Sequence, residues 1–342
     1  MDSTKAPTKA IVVRWKPTAP WRIGDDSGSR ENSGGVLHSD TLYAAVCSAM
    51  NAMGWLAEWL DATARAETPA AVLTSAFPWQ GDQYYFPAPS PLWPPKGAGR
   101  RVRGATLLPA SVIRGLLEGA VIDESKYVPD AASGCLLLAD RASRGGPFRH
   151  ALRTRAAVDR LSGLTGPISK LGAIEFGENA GFWNAVCFAN DEARSHWRGK
   201  LVACFRYLAD AGIGGNRSCG WGRSATPAID DRHVESLLWP GPPSLEGVKA
   251  WWNLSLLYPA DTDLIDWTRG GYRLLERGGR IESLEQWGAE KRKAPMVAEG
   301  SVLVSEQKPV GSAPDTAPEG FAHPVYKNGF AVTIEVPWRA NA

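Results

Sequence analysis

The stretch Gly212 to Arg223, GIGGNRSCGWGR, constrains the chain more than any other. Gly212, Gly214, Gly215, Gly220 and Gly222 have no Cβ, so the backbone there can take positive φ and another chain can approach closely. Arg217 and Arg223 add permanent charge and forked donors to the same loop. Room for a backbone beside fixed positive charge describes a seat for a phosphate chain. The known nucleotide loops do not fit. A dinucleotide fingerprint puts glycine where Arg217 stands and opens a helix, whereas here a helix precedes the loop. A P-loop needs Lys after its last glycine, and Gly220 is followed by Trp221. An ordinary glycine-rich turn between a helix and a strand is the alternative.

At 342 residues the chain suits two domains, and its 44% apolar and 22% charged residues are globular values. A net charge of +2 confines any polyanion site to a local patch. Five scattered cysteines, Cys47, Cys135, Cys187, Cys204 and Cys219, include no C-x-x-C pair, so a zinc ribbon, a redox motif and a disulfide framework all lack support. The N-terminus MDSTKAPTKA has no apolar run, and a cytoplasmic protein is expected. Fifteen tryptophans suggest extensive packing or partner surfaces.

In chain order, Ala10 to Trp15 reads as a strand and Gly24 to Gly35 as a mobile polar loop. Ser39 or Asp40 then caps a helix whose stripe is Leu42, Val46, Met50, Met53, Leu56 and Leu60. Tyr84 to Phe86 is a short strand, Ser111 to Gly119 a helix and Gly134 to Leu138 a strand. Lys96 to Arg103 is a basic loop. Arg141 to Arg160 is the densest positive segment, a set of phosphate-gripping arginines or a solvated hairpin. Strands are expected at Ala173 to Phe176 and Phe182 to Phe188. A helix follows from Glu192 to Ala209, ended by Gly212, and then a strand from Ser218 to Ala228. That order gives an α+β unit of ferredoxin-like or RRM-like type, β-α-β-β-α-β with long insertions. Trp239 to Ser244 has linker composition, and a β-rich, degenerate second domain follows it, so the expected domains are 1–238 and 245–342.

No catalytic constellation emerges. His38, at a helix start, is a conceivable general base for RNA cleavage, but it has no partner in sequence. His150, His196, His233 and His323 form no metal-ligand spacing. Binding is favoured over catalysis, with no metal or cofactor expected.

The stretches HSDTLYAAVCSAM (from His38), YYFPAP (from Tyr84), LLPASVIRGLLEG (from Leu107), RTRAAVDRLSGLTG (from Arg153), the glycine loop, RKAPMVAEGSVL (from Arg292) and HPVYKNGFAV (from His323) resemble the RAMP superfamily. Within it they are similar to Csm subunit four of type III-A CRISPR effector complexes. The resemblance implies a non-catalytic cap with two ferredoxin-like domains, the first bearing a β-hairpin thumb. Such a cap holds the 5′ handle of the CRISPR RNA, docks the large polymerase/cyclase-bearing subunit, abuts the backbone RAMP subunits and wedges its thumb into the guide-target duplex. It places the RNA contacts at Gly212, Ile213, Gly214 and Gly215, at Asn216, Arg217 and Ser218, and at Gly220, Trp221, Gly222 and Arg223. His38 and Ser39 join them at the helix start, and Arg149, Arg153, Arg155 and Arg160 near the thumb. Two departures stand out. Asn216 holds a position that is often basic in the family, which shifts the expected contact toward backbone N–H groups and Arg217, and the spacer from Thr165 to Ile174 is short. The alternatives are a repeat-processing endoribonuclease with His38 as base, and the equivalent cap of a type III-B or III-D complex.

Overall fold

The computed structural model describes residues 9–24, 28–95, 97–99, 102–239, 248–281 and 288–338. Strand β1 (Ala10–Trp15) lies at the expected place. Its alternation sends Ile11, Val13 and Trp15 to one side of a sheet and Val12 and Arg14 to the other. Helix α1 (Ser39–Ala52) follows, capped by His38 and not by Ser39 or Asp40, with no side-chain cap bond. The apolar stripe does not run on through one helix. Gly54, at φ +75°, breaks it, and Leu56 and Leu60 belong to a second helix, α2 (Leu56–Ala62).

Next come β2 (Ala71–Leu73), β3 (Phe77–Gln80), β4 (Gln83–Pro87) and β5 (Leu107–Pro109), then α3 (Ala110–Glu118), which ends at a left-handed Gly119. After them run β6 (Tyr127–Asp130), β7 (Cys135–Leu138), the long pair β8 (Phe148–Val158) and β9 (Thr165–Phe176), and β10 (Ala180–Phe188). Helix α4 (Asp191–Ala211) has a full N-terminal signal: Asn190 Oδ1 accepts from Ala193 N at 2.8 Å, and Asp191 and Glu192 sit in the first turn. The strand expected from Ser218 to Ala228 is absent. A short 3-10 turn occupies Arg217–Cys219, and only β11 (Ala228–Asp230) pairs with β1.

These strands build a nine-stranded sheet in the order β11-β1-β10-β3-β4-β5-β7-β6, with β2 also on β10. Helices α1 and α4 cover one face, where Leu42, Val46, Met50, Leu201, Phe205 and Leu208 pack on Ile11, Val13 and Trp15. The last part of the chain contributes β12 (Lys249–Asn253), β13 (Asp266–Gly271), β14 (Leu274–Arg277), β15 (Ala294–Val297), β16 (Val302–Val304), β17 (Gly311–Ser312), β18 (Gly329–Phe330) and β19 (Thr333–Pro337). Four of these form a sheet in the order β13-β16-β12-β19. Its Ala250, Trp252, Val302 and Ile334 share one apolar cluster with Val12, Phe77, Phe86 and Trp183, so the two parts of the chain close over a common core. The architecture is α+β, mostly sheet with few helices. The expected linker lies, apart from Trp239, outside the described residues, as do parts of the basic run from Lys96 to Arg103. No helix among the described residues is long and apolar enough to cross a membrane.

Candidate nucleic-acid interface

At the end of α4 the chain turns on Gly212, at φ +88°, and most of the glycines that follow serve the protein's own backbone. Gly214 and Gly222, at φ +87° and +80°, lie where a Cβ would collide with Arg22 O and Ile213 O respectively. The approach is hydrogen-bonded throughout. Ile213 N donates to Gly222 O at 3.1 Å, Gly215 N to Arg22 O at 2.8 Å and Gly222 N to Pro20 O at 2.9 Å. Gly212, Ile213 and Gly222 are buried. The expectation that these three meet RNA is corrected: Gly212 packs on Trp221 O and Gly222 on Ile213 O, the two limbs of the loop itself, while Pro20 and Arg22 of the segment leaving β1 close on Gly222, Gly214 and Gly215.

The outer half of the loop is different. Asn216 takes a left-handed conformation at φ +61°, which Asn tolerates better than most residues. Gly220, at φ +81°, has no atom within 4 Å of where its Cβ would be. Cys219 N and Gly220 N bond back to Asn216 O and Arg217 O at 2.9 Å, which closes a tight arch. Ser218, Cys219 and Arg223 are exposed on it, and Asn216, Arg217 and Trp221 are partly so.

Opposite the arch stands the hairpin of β8 and β9, paired from Phe148↔Phe176 to Val158↔Thr165. Its turn is built by Asp159, whose Oδ1 accepts from Leu161 N at 2.8 Å and Ser162 N at 3.1 Å, with Gly163 at φ +67°. From Leu152 to the tip the β8 side chains all face solvent. That is why the sequence showed no burial alternation for most of the hairpin. Strand β9 was expected only over its last four residues, Ala173 to Phe176, and begins instead at Thr165. Gly172 within it is required because a Cβ there would strike Glu31 O, and Gly172 N donates to Arg30 O at 2.8 Å. The described part of the glycine-rich loop expected to be mobile is thus laid against β9 and tied to it. Beside that contact lies a cleft of about 290 Å³ lined by Glu31, Ser33 and His150.

Arch and hairpin meet in a second cleft of about 420 Å³, lined by Pro20, Arg153, Thr154, Arg155, Asn216, Cys219 and Trp221. Two segments more than 60 residues apart, each picked out in sequence for its own reasons, are side by side. Among the arginines their roles separate. Arg149 binds Glu175 through Nε and Nη2 at 3.2 and 2.9 Å, and Arg153 also donates to Glu175. Arg149 foremost, then Arg153, hold the Glu175 carboxyl below its ordinary range. Arg155 has no acidic partner among the described residues, and Arg160 sits in the exposed turn away from the cleft. Pro20, Thr154 and Cys219 were not anticipated. Cys219 could have been read from the loop itself, whereas nothing in sequence links Pro20 to it.

His38 and Ser39 do not join this surface. Ser39 is fully buried: its Oγ accepts from Leu256 N at 3.0 Å and its N donates to Ser75 Oγ at 2.8 Å. His38, with its side chain 16% exposed, places Nδ1 2.8 Å from Oε1 of buried Glu299, which also accepts from Ser75. Burial pushes the Glu299 carboxyl up, but His38 and Ser75 outweigh it and hold it low. Next to them Asp40 is buried with Arg277 and Lys327. The helix start is therefore a polar joint to the last third of the chain, and both residues are withdrawn from the RNA-facing set, Ser39 because it is buried and His38 because its imidazole is engaged with Glu299. No group of three or more His, Cys, Asp or Glu placed to hold a metal ion occurs among the described residues.

Comparison with known proteins points the same way. Residues 246–336 match the family described as the CRISPR Csm4 C-terminal domain. Over 96% of its length the chain is 25% identical to the CRISPR system Cms protein Csm4 of Thermococcus onnurineus (strain NA1), covering 98% of that protein. It is 26% identical, over 49% of its length, to the protein of the same name from Methanocaldococcus jannaschii, of which it covers 45%. Among solved structures it resembles a chain of the Csm3-Csm4 subcomplex in the type III-A CRISPR-Cas interference complex, with a TM-score of 0.62, 17% identity and coverage of 97% of this chain and 100% of that one. Together with the sequence features above, these matches make the chain similar to Csm4 proteins along nearly its whole length.

Proposed function

We propose that this protein is a non-catalytic RNA-binding subunit of a cytoplasmic type III-A CRISPR interference complex and that it holds the 5′ handle of the CRISPR RNA. The observation behind this reading is the cleft in which Arg153 and Arg155 of the hairpin face Asn216 and Trp221 of the loop. A single-stranded RNA is held by phosphate contacts and by stacking of bases on aromatic rings, and the cleft presents both kinds of group. The strand gripped here lies against the outer arch, since the inner glycines are occupied. The hairpin is the thumb. Leu161, Leu164 and Ile168 are 100%, 70% and 68% exposed on it, an apolar tip suited to a duplex end or a neighbouring subunit. Partners follow from the relatives, which have been crystallised as a Csm1-Csm4 cassette and as a Csm3-Csm4 subcomplex. By that analogy the large polymerase/cyclase subunit and the first backbone subunit are the neighbours of this chain. A ferredoxin-like first domain is supported by the order β11-β1-β10-β2 with α1 and α4 on one face, the arrangement of a β-α-β-β-α-β unit.

The test is retention of CRISPR RNA by the complex carrying Arg155→Ala with Arg217→Ala. Weaker retention and a shallower salt dependence are expected, because phosphate contacts are lost. Unchanged retention sinks the reading. Incubating the protein with repeat RNA tests the non-catalytic part: the RNA should stay intact, and a cut that disappears in His38→Ala would make it a nuclease.

A further inference from the structure

The sheet face opposite α1 and α4 has a positive cluster outside the cleft. Arg14, on β1, lies between Trp183 of β10 and Ala228 of β11. Its Cζ stands 3.8 Å from the centroid of the Trp79 ring and 5.6 Å from that of Tyr84. Arg232, just past β11, reaches Tyr84 from another side, with Cζ 5.5 Å from the ring centroid and Nη2 donating to Tyr84 Oη at 2.8 Å. Tyr84 is held in turn by the edge of Trp183 at 5.6 Å. Arg14 is partly buried and donates to a carbonyl, Gly81 O at 3.1 Å, and no carboxylate among the described residues balances it. Arg232 has Asp230 at 3.8 Å, but that acid is 55% exposed, and the Arg232 Nε is shielded without a hydrogen-bond partner among the described residues. The nearby Arg141–Asp82 pair neutralises itself.

A guanidinium held on an aromatic shelf away from bulk water, without an acid beside it, gains most from an anion that brings its own oxygens. The cluster is also continuous with the cleft. Lys16, exposed two residues beyond Arg14, begins the segment that bonds to the loop, where Ala225 N donates to Lys16 O and Thr18 N to Arg223 O. Arg14 and Thr18 are four residues apart, about 13 Å in extended chain.

We propose that Arg14, Tyr84 and Arg232 form a second phosphate seat, where an RNA strand leaving the glycine loop along Lys16 is gripped again on the sheet face. This rests on the RNA-binding reading above and extends it. Arginine pairs of this kind favour phosphate oxygens, and the basic run from Arg223 through Lys16 gives the strand a path.

Binding of oligouridylates of roughly 6 and roughly 20 nucleotides to the full chain, one near the short end of typical site sizes of ~4–16 nucleotides and one beyond the long end, separates the outcomes. Arg14→Gln with Arg232→Gln should weaken the longer RNA about tenfold and lower its salt slope by about 1.4, near 0.7 for each lost phosphate contact, and leave the shorter RNA unaffected. Arg232→Gln alone, at a side chain 36% exposed, should show half of that slope change with an unaltered melting temperature, so a folding defect in the double variant cannot imitate the result. An unchanged slope for the longer RNA, or an equal loss for both lengths, overturns the proposal. Unchanged RNA binding with loss of a partner subunit from the complex would assign the seat to an acidic protein surface and overturn it too. If Arg155→Ala with Arg217→Ala weakens both RNAs and the Arg14 and Arg232 variants weaken neither, this seat falls and the cleft stands. If the wild-type chain binds neither RNA, both readings fall.

Discussion

Replacing Asp40 with Ala removes a buried carboxylate that bridges two buried cations. Asp40 Oδ1 and Oδ2 accept from Arg277 Nη2 and Nε at 3.1 Å each, and Oδ2 accepts from Lys327 Nζ at 3.2 Å. Side-chain exposure is 4% for Asp40, 10% for Arg277 and 4% for Lys327, so water cannot replace the lost partner. Lys327 keeps Gly278 O at 2.8 Å, which softens the loss without neutralising the charge. Breaking a buried ion pair from one side costs about 3–5 kcal/mol. Set against the roughly 5–15 kcal/mol that holds a typical protein folded, this is a large fraction. At about 2 °C per kcal/mol for a large cooperative unit, the melting temperature should fall by about 6–10 °C. Thermal and urea denaturation followed by circular dichroism would measure it. Asp40→Asn, which keeps the shape and removes the charge, should be nearly as harmful.

The same cluster predicts the sign of the acid response. Burial pushes the Asp40 carboxyl up, but Arg277 and Lys327 more than reverse this and hold it well below the usual carboxylate range. A depressed folded-state value means that its contribution is fully present above the unfolded value of about 3.9 and is lost as pH falls below that, toward the folded value. The variant should therefore lose its disadvantage in acid. A loss under about 1 kcal/mol at neutral pH, or a gap between wild type and variant that does not narrow in acid, would refute the reasoning.

Gly222→Ala should destabilise severely, since a Cβ there strikes Ile213 O in addition to the left-handed strain, whereas Gly220→Ala, with open space around it, should cost only about 1–2 kcal/mol; thermal melts compare them. Arg155→Ala should lower the salt slope of RNA binding by about 0.7, while Arg149→Ala, whose guanidinium is committed to Glu175, should change it little; titrations at several salt concentrations distinguish the two. Cys219 is exposed in the cleft, whereas burial pushes the thiols of Cys47, Cys187 and Cys204 up to about 12, so iodoacetamide should modify Cys219 first, and bound RNA should protect it; peptide mass analysis reads both results.

Local signals were read correctly wherever one physical cause acted within a few residues. The β-branched run at β1, the apolar spacing in α1 and α4, and Gly212 as the end of α4 each follow from nearest neighbours along the chain. Readings failed where a partner from elsewhere decided the outcome. Ser39 and Asp40 have the chemistry of helix caps, but Leu256, Arg277 and Lys327 claim their side chains, and the cap falls to His38. The second hairpin strand was legible only at its buried end, because pairing with β8 holds the rest without any apolar face to mark it.

The amino-acid sequence alone determined that a positive-φ loop with arginines follows a long helix, that a strongly basic segment precedes it, and that the chain resembles a family of RNA-guided defence proteins. These are properties of composition, spacing and order. Only the tertiary structure decided which glycines serve the protein and which face outward, and that Arg155 is available while Arg149 is committed. It also decided that the loop, the hairpin and Pro20 bound one cleft. A glycine admits whatever backbone comes near and an arginine pairs with whichever acid is in reach, so the role of each is set by a neighbour distant in sequence.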